Sequence, residues 1–269
     1  MPVRVLIRGG GDLASGVALR LYRVGFHILI TELSQPKVVR RLVSFAEAIY
    51  QGEIIIEGVK AQEAPDADSA LKMISGGLIP VLVDPDASSR ESFQPAVMVD
   101  ARLTKRAPDL GREAAPLVIG LGPGFIAGVN CHAAIETNRG HFLGRVIWNG
   151  APEADTGIPD TVAGHREDRV LRAPVNGVFY AQAAIGDMVE SGEAIAQVDG
   201  HQILAPFNGV LRGLLHSGLS VPAGLKVGDL DPRNDPRYCT LVSDKSLAVG
   251  GGVMEAILSR PEIRLNLCS

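Results

Sequence analysis

The sequence predicts an α/β protein: a mostly parallel sheet in the first part of the chain, then a small all-β module. Two observations carry this. The first sixteen residues read as strand, glycine turn and helix, and apolar segments at strand and helix spacing alternate after them. Further on, residues 173–199 return as 205–231, with nine of 27 positions identical. Strands alternating with helices build a mostly parallel sheet covered on both faces.

The opening stretch is the most informative. Val3-Arg4-Val5-Leu6-Ile7-Arg8 reads as a strand, and Gly9-Gly10-Gly11-Asp12-Leu13-Ala14-Ser15-Gly16 turns it into a helix that continues to Arg23. Gly9, Gly11 and Ala14 fit the Rossmann-like pattern G-x-G-x-x-G/A, in which backbone N–H groups and a helix N-terminus approach a pyrophosphate. Gly10, Asp12 and Ser15 lie in the same turn and are expected to line the ligand with them. A second strand, Phe26 to Thr31, ends at Glu32, 21 residues after Gly11, where an acid would bind a ribose hydroxyl. The alternative is a turn whose glycines serve packing alone.

Composition sets the outer bounds. Hydrophobic residues make up 46% of 269, charged residues 21%, and the net charge is −4, which argues against an extended nucleic-acid surface. Arginine outnumbers lysine 20 to 6, leaving room for local anion sites. Cys131, Cys239 and Cys268 are odd in number and unclustered, which predicts a reducing, cytoplasmic setting with neither a disulfide framework nor a zinc site. The N-terminus leads straight into a strand carrying Arg4 and Arg8 and is not expected to be a signal peptide. Residues 114–135 are uncharged, but Pro116, Pro123, Asn130, His132 and four glycines exclude a lipid-facing helix.

Along the chain, Pro36 opens an expected helix with Val38, Val39, Leu42, Phe45, Ala46 and Ile49 on one face. Strands are expected at 53–56, 79–83, 96–99 and 117–119, with a helix over 67–74. Asp84, Asp100 and Gly120-Leu121-Gly122-Pro123-Gly124-Phe125 fall at strand ends, where ligands of such sheets sit. Gly122 and Gly124 therefore join the candidate ligand-binding residues. Residues 129–147 read as two strands joined at Asn138–His141, or as a helix over 129–137. Within this stretch His132, Glu136, Arg139 and His141 form a polar cluster: Arg139 a candidate anion contact, and Glu136, His132 and His141 candidate acid/base groups. A hairpin whose His and Glu bond only to each other and to turn backbone is the structural alternative.

Residues 151–169 read as a linker. In the repeat that follows, Ala173-Pro174-Val175-Asn176-Gly177-Val178 becomes Ala205-Pro206-Phe207-Asn208-Gly209-Val210. Two interleaved halves of short strands resemble the biotinyl/lipoyl-carrier fold, a barrel-sandwich hybrid, but the carrier lysine is missing: no lysine occurs between Lys105 and Lys226. Tyr238 to Val242 reads as a strand and Ser243 to Leu258 as a helical tail. Gly250-Gly251-Gly252 inside that helix costs about 1 kcal/mol per residue relative to Ala, which suits a close approach of another backbone. The predicted domains are 1–164, Rossmann-like and nucleotide-binding; 165–235, the β module; and 236–269, a tail docking on the first.

Five motifs carry a family resemblance over nearly the whole chain: Arg8 to Gly16, Gly120 to Phe125, Ile135 to His141, Lys226 to Arg233 and Gly250 to Ile257. They resemble the accessory (maturation) proteins of selenium-dependent molybdenum hydroxylases, a family labelled YqeB-like. The chain departs from that pattern at Lys105-Arg106 and Ser246-Leu247. The resemblance implies a part in maturing a molybdenum hydroxylase, with the apo-enzyme or its maturation machinery as partner and NAD(P) or a molybdopterin dinucleotide as cofactor. Three readings follow: a cofactor-maturation factor, an NAD(P)-dependent oxidoreductase, or a non-catalytic scaffold binding the hydroxylase. Neither nucleic acid, membrane nor metal is expected to be bound, and self-association is left open.

Overall fold

Val5, Leu6, Ile7 and Arg8 are buried, as the inner strand of a sheet covered on both faces requires. The computed structural model describes residues 3–155 and 161–267; Cys268 and part of the expected linker lie outside these. The first unit comprises residues 1–36, 44–156 and 242–269; the second comprises 37–43 and 157–241.

In the first unit the elements run β1 (Arg4–Arg8), α1 (Asp12–Arg23), β2 (His27–Glu32), α2 (Ala48–Gln51), β3 (Glu53–Ile56), β4 (Val59–Ala64), α3 (Ala67–Ser75), β5 (Ile79–Val83), α4 (Arg90–Phe93), β6 (Val97–Asp100), β7 (Leu117–Leu121), β8 (Ala133–Ile135) and β9 (Val146–Ile147). They form one nine-stranded sheet in the order β3-β4-β5-β2-β1-β6-β7-β8-β9. The run from β4 to β8 is parallel, and β3 and β9 pair antiparallel at the two ends.

This mixed sheet corrects the predicted Rossmann-like, mostly parallel domain. Among the described residues, the connection from β6 to β7 carries only the 3-10 turn Arg112–Ala114 and that from β7 to β8 no helix, so the expected alternation stops at β6. The expected helix over 36–49 is also absent. In its place stand 3-10 turns at Arg41–Val43 and Phe45–Glu47, followed by α2. The Val39 carbonyl accepts from the Leu214 N–H, and the Ala46 N–H donates to the Gly10 carbonyl, so neither group is available to a helix ladder.

The second unit holds β10 (Val170–Arg172), β11 (Gly177–Ala181), β12 (Met188–Val189), β13 (Ala194–Val198), β14 (His201–Leu204), β15 (Gly209–Leu214), β16 (Ser220–Val221) and β17 (Lys226–Asp231). Two four-stranded antiparallel sheets, β10-β17-β15-β12 and β14-β13-β11-β16, stand where a barrel-sandwich hybrid was predicted, and the prediction is corrected to this pair. Each half of the repeat lends a strand to the other: β12 pairs with β15, and β16 with β11. Equivalent asparagines tie the exchange. The Ser191 N–H donates to Asn208 and the Ala223 N–H to Asn176, both at 2.8 Å. Phe179, Ile195, Leu211, Val221 and Leu230 fill the core between. Asp199-Gly200, both with positive φ, close the β13–β14 hairpin as Asp-Gly turns do.

The expected strand at 238–242 is instead the helical turn α5 (Arg237–Thr240). α6 (Asp244–Leu258) follows, capped by the Ser243 hydroxyl, which accepts from the Ser246 N–H, and then α7 (Pro261–Arg264). α6 packs along α1. A Cβ on Gly16 would stand 2.6 Å from the Ser246 carbonyl oxygen, one on Gly250 2.8 Å from the Gly16 carbonyl oxygen, and one on Gly252 would overlap the Gly144 carbonyl. No described helix is long and apolar enough to cross a membrane.

Adjacent glycines of α6 should therefore respond with opposite sign. A Cβ on Gly251 meets nothing within 4 Å, so Gly251→Ala should raise stability by about 1 kcal/mol through helix propensity. Gly252→Ala should lower it by about 1–3 kcal/mol through overpacking. Urea unfolding of the two variants checks the sign.

Candidate functional site

The chain builds outward from β1 through β2, then places β6 on the other side of β1, so strand order reverses between β1 and β6. Ligands of such sheets sit beyond the carboxyl ends of the strands at this point. Arg8, Asp100 and Gly120 stand in register across β1, β6 and β7. Gly9–Gly11, Ala101–Asp109, Gly122–Gly124 and Glu136–Arg139 leave the sheet at this edge. They adjoin one another: a Cβ on Gly9 would lie 3.4 Å from Arg102 Cγ, and one on Gly122 would lie 3.4 Å from Leu103 and 3.6 Å from the Thr137 hydroxyl.

The centre of the edge is a charge network. Arg8, 1% exposed, donates through Nη1 and Nη2 to the two Asp109 oxygens at 2.9 and 3.0 Å, and through Nη2 to the Pro85 carbonyl at 2.8 Å. Its Nη1 also lies 3.6 Å from Asp100, which is fully buried. Arg102 grips Asp100 with Nε at 2.9 Å and Nη2 at 2.6 Å, and reaches Asp109 at 2.6 Å. Hydrogen bonds from Arg8 hold the Asp109 carboxyl well below the usual carboxylate range, against partial burial and with help from Arg102. Burial opposes the charge on Arg102, but Asp100 and Asp109 more than offset it and raise its pKa. Asp84, at the end of β5, caps the next turn by accepting from the Ser88 and Ser89 N–H groups.

The glycine turn is built largely from the protein's own contacts. Gly9 has φ +88°, which favours glycine. A Cβ on Gly10 would stand 2.7 Å from the Ala46 nitrogen. The Ser15 hydroxyl donates to the Gly10 carbonyl at 3.2 Å and accepts from the Phe45 N–H at 2.8 Å, and Ala14 is buried. Gly11 is the N-cap of α1, and Asp12 puts a carboxylate in its first turn. Glu32 does not present a free carboxylate to a ribose. Its Oε2 accepts from the Gly10 N–H at 2.7 Å and its Oε1 from the Leu33 N–H at 2.8 Å. Gly124 is held by the segment beside it: its N–H donates to the Thr104 carbonyl at 2.9 Å, and a Cβ would lie 2.5 Å from the same oxygen.

The expected acid/base cluster does not assemble. His132 precedes β8 and Glu136 follows it, so they sit at opposite ends of the strand, about 13 Å apart at strand rise. His132 Nδ1 accepts from the Val118 N–H, and its pKa is lowered by burial and then by Arg112 and Arg260. Glu136, 2% exposed, takes the Asn138 N–H at 2.6 Å on one oxygen and the Glu153 N–H at 2.7 Å on the other. It organises the loop after β8. His141 is exposed, edge-on to Phe142. Arg139 forms a two-pronged ion pair with Asp244 at 2.6 and 2.7 Å. Among the described residues, no group of three or more His, Cys, Asp or Glu side chains could hold a metal ion.

Arg8, Arg102 and Asp109 were not predicted as site residues. The signal was present: an arginine follows the apolar run Val5-Leu6-Ile7 at the end of the first strand, and another follows Asp100 by two positions. What hid it was distance, because Asp109 reaches Arg8 from 101 positions away.

Arg8→Leu should destabilise the first unit by about 3–5 kcal/mol, since it leaves the carboxylates short of a buried cation. The Asp109 carboxyl is depressed in the folded state, so its contribution is full above the ordinary carboxylate pKa of about 4 and fades as pH falls below it. Urea midpoints at pH 7 and pH 3 should diverge less in Asp109→Asn than in the parent.

No family model matches the chain. Among solved structures, a succinylglutamate desuccinylase/aspartoacylase from Rhodobacter sphaeroides aligns at 25% identity over 34% of this chain and 31% of that one, with a TM-score of 0.23. An aspartoacylase family protein from Mesorhizobium loti aligns at 8% identity over 85% and 84%, TM-score 0.25. A succinylglutamate desuccinylase from Silicibacter sp. aligns at 14% over 85% and 84%, TM-score 0.25. Against these similarities the expectation of a molybdenum hydroxylase maturation factor, with its scaffold alternative, is corrected and not retained. The NAD(P) oxidoreductase reading is set aside with it, as Glu32 and the dispersed His132, Glu136 and His141 also require. At TM-scores of 0.23–0.25 the desuccinylase and aspartoacylase activities themselves are not carried to this chain. The chain is 48% identical over 254 residues to "Uncharacterized protein YqeB" of Escherichia coli (strain K12). That alignment covers 94% of this chain and 47% of YqeB, so the chain spans about half the length of the curated relative it matches. Identity at this level over most of the chain supports a YqeB-like family.

Proposed function

We propose that the first unit binds a small molecule through an anionic group, a phosphate or a carboxylate, at the sheet edge between β1 and β6. The observation that carries this reading is Arg102. Its side chain is about one-third exposed, lies against the Gly9 turn, and shares the Asp109 carboxylate with buried Arg8. Asp109 itself is half-exposed and stands where a ligand oxyanion would meet the two guanidinium groups. An incoming anion takes Asp109's place on Arg102 while Asp100 continues to hold the guanidinium from below. The α1 N-terminus beside Gly9 adds partial positive charge to the same point.

The reading is one of binding, and His132, Glu136 and His141 are given no acid/base role in it. The cofactors expected from the sequence, NAD(P) and a molybdopterin dinucleotide, carry phosphates and are the first ligands to titrate. Buried, unpaired Cys131 and Cys239 suit a reducing, cytoplasmic setting.

Calorimetric titration with NAD, NADP, a molybdopterin dinucleotide and a dicarboxylate tests the site. Arg102→Lys keeps the charge but loses the fork, and should weaken the best ligand about tenfold, or about 1.4 kcal/mol. Asp109→Asn removes the competing carboxylate and should tighten binding. Unchanged affinity in both variants would sink the proposal, and a loss confined to Arg139→Ala would move the site to the loop after β8.

A further inference from the structure

The second unit carries a charge cluster of its own, built on one carboxylate. Asp229 of β17 is fully buried. Arg212 reaches it with Nε at 2.7 Å and Nη2 at 2.5 Å, Arg169 with Nη2 at 3.1 Å, and Lys226 with Nζ at 3.2 Å. Arg212 owes its aim to a β-bulge. Leu211 pairs with Leu230 and Gly213 with Asp229, so Arg212 is the extra residue of β15 and its side chain turns onto β17. Neighbouring Asp231, also fully buried, is gripped by Arg233 at 2.9 and 2.6 Å and lies 3.3 Å from Arg212 Nη1.

Arg169, Arg212, Lys226 and Arg233 thus face Asp229 and Asp231, four cations against two buried carboxylates, which leaves a surplus of two positive charges. Burial alone would raise the Asp229 pKa, yet Lys226, Arg212 and Arg169 hold it down to about 2. A second observation is independent of charge. Arg169 is 6% exposed, and its buried Nε has no hydrogen-bond partner among the described residues. Buried guanidinium N–H groups are rarely left unpaired, so this one calls for an acceptor. Lys226, two-fifths exposed, gives the cluster a solvent-facing rim.

The geometry points to an oxyanion site in the second unit, in which Arg169, Arg212 and Lys226 hold a dianion of the phosphate class, inorganic phosphate or a phosphate ester. Two negative charges match the surplus, and the oxygens of a tetrahedral anion suit guanidinium forks. The arrangement excludes a metal cation, which would add to the surplus charge. It does not depend on the ligand proposed at the β1–β6 edge.

The test is thermal unfolding in inorganic phosphate against chloride at equal ionic strength, for the parent, Lys226→Gln, Arg169→Lys and Arg102→Lys. The parent should melt higher in phosphate, and Arg102→Lys should keep the part of that rise that the second unit supplies. Lys226→Gln and Arg169→Lys should need about tenfold more phosphate for the same rise. Should Arg169→Lys fail to fold, Lys226→Gln decides alone, since its partly exposed side chain is the least demanding change. Equal melting in both salts, a rise that survives in the variants of the second unit, or one lost only in Arg102→Lys would overturn the assignment.

Discussion

Everything at the carboxyl edge of the large sheet depends on one buried guanidinium. Arg8 joins the end of β1 to the Pro85 carbonyl after β5, to Asp100 at the end of β6 and to Asp109 beyond it. A cation at 1% exposure is costly to desolvate, and only several well-placed acceptors make that tolerable. The need for those acceptors fixes where the loops after β5 and β6 must lie. Arg102 then completes the pairing of Asp100, so the half-exposed surface of the network is a consequence of its buried base.

A second constraint acts through backbone contact. α6 can lie along α1 because Gly16 and Gly250 let main chain meet main chain, and Gly252 does the same for Gly144 in the loop after β8. That loop is the one Glu136 holds from inside, through the Asn138 and Glu153 N–H groups. Arg139 closes the circuit by pairing with Asp244 in the first turn of α6. Glu136 and Arg139 therefore read as the ties of a loop to its helix.

Much of this was legible in local pattern. The alternation of apolar segments gave β1, α1, β2, β5, β6 and β7 nearly in place, and the offset of 32 pointed to two interleaved halves, which the exchange of β12 and β16 realises. The failures share a cause: they needed contacts distant in sequence. The periodic segment 36–49 had the apolar spacing of a helix, but Val39 and Ala46 spend backbone groups on Leu214 and Gly10. His132 and Glu136 share a periodicity in both strand and helix, and periodicity says nothing of which end of a three-residue strand a side chain occupies. Arg8 looked like the polar end of a strand, because its partner Asp109 lies far along the chain.

The glycine turn shows how one sequence pattern can serve two physical ends. In a dinucleotide site the glycines clear space for a pyrophosphate, and the acid after the second strand meets a ribose. Here the space beside Gly10 is taken by Ala46, and Glu32 is spent on the Gly10 N–H. Ser15 fastens both sides of this arrangement by bonding Gly10 and Phe45 together. Both requirements select small residues and an acid at the same spacing, so the spacing alone cannot separate them. What separates them is whether the backbone donor at Gly10 is already satisfied inside the protein. It is, so the anion site proposed at this edge draws on Arg102 and the helix end beyond Gly9, outside the contact that Glu32 and Ala46 have closed.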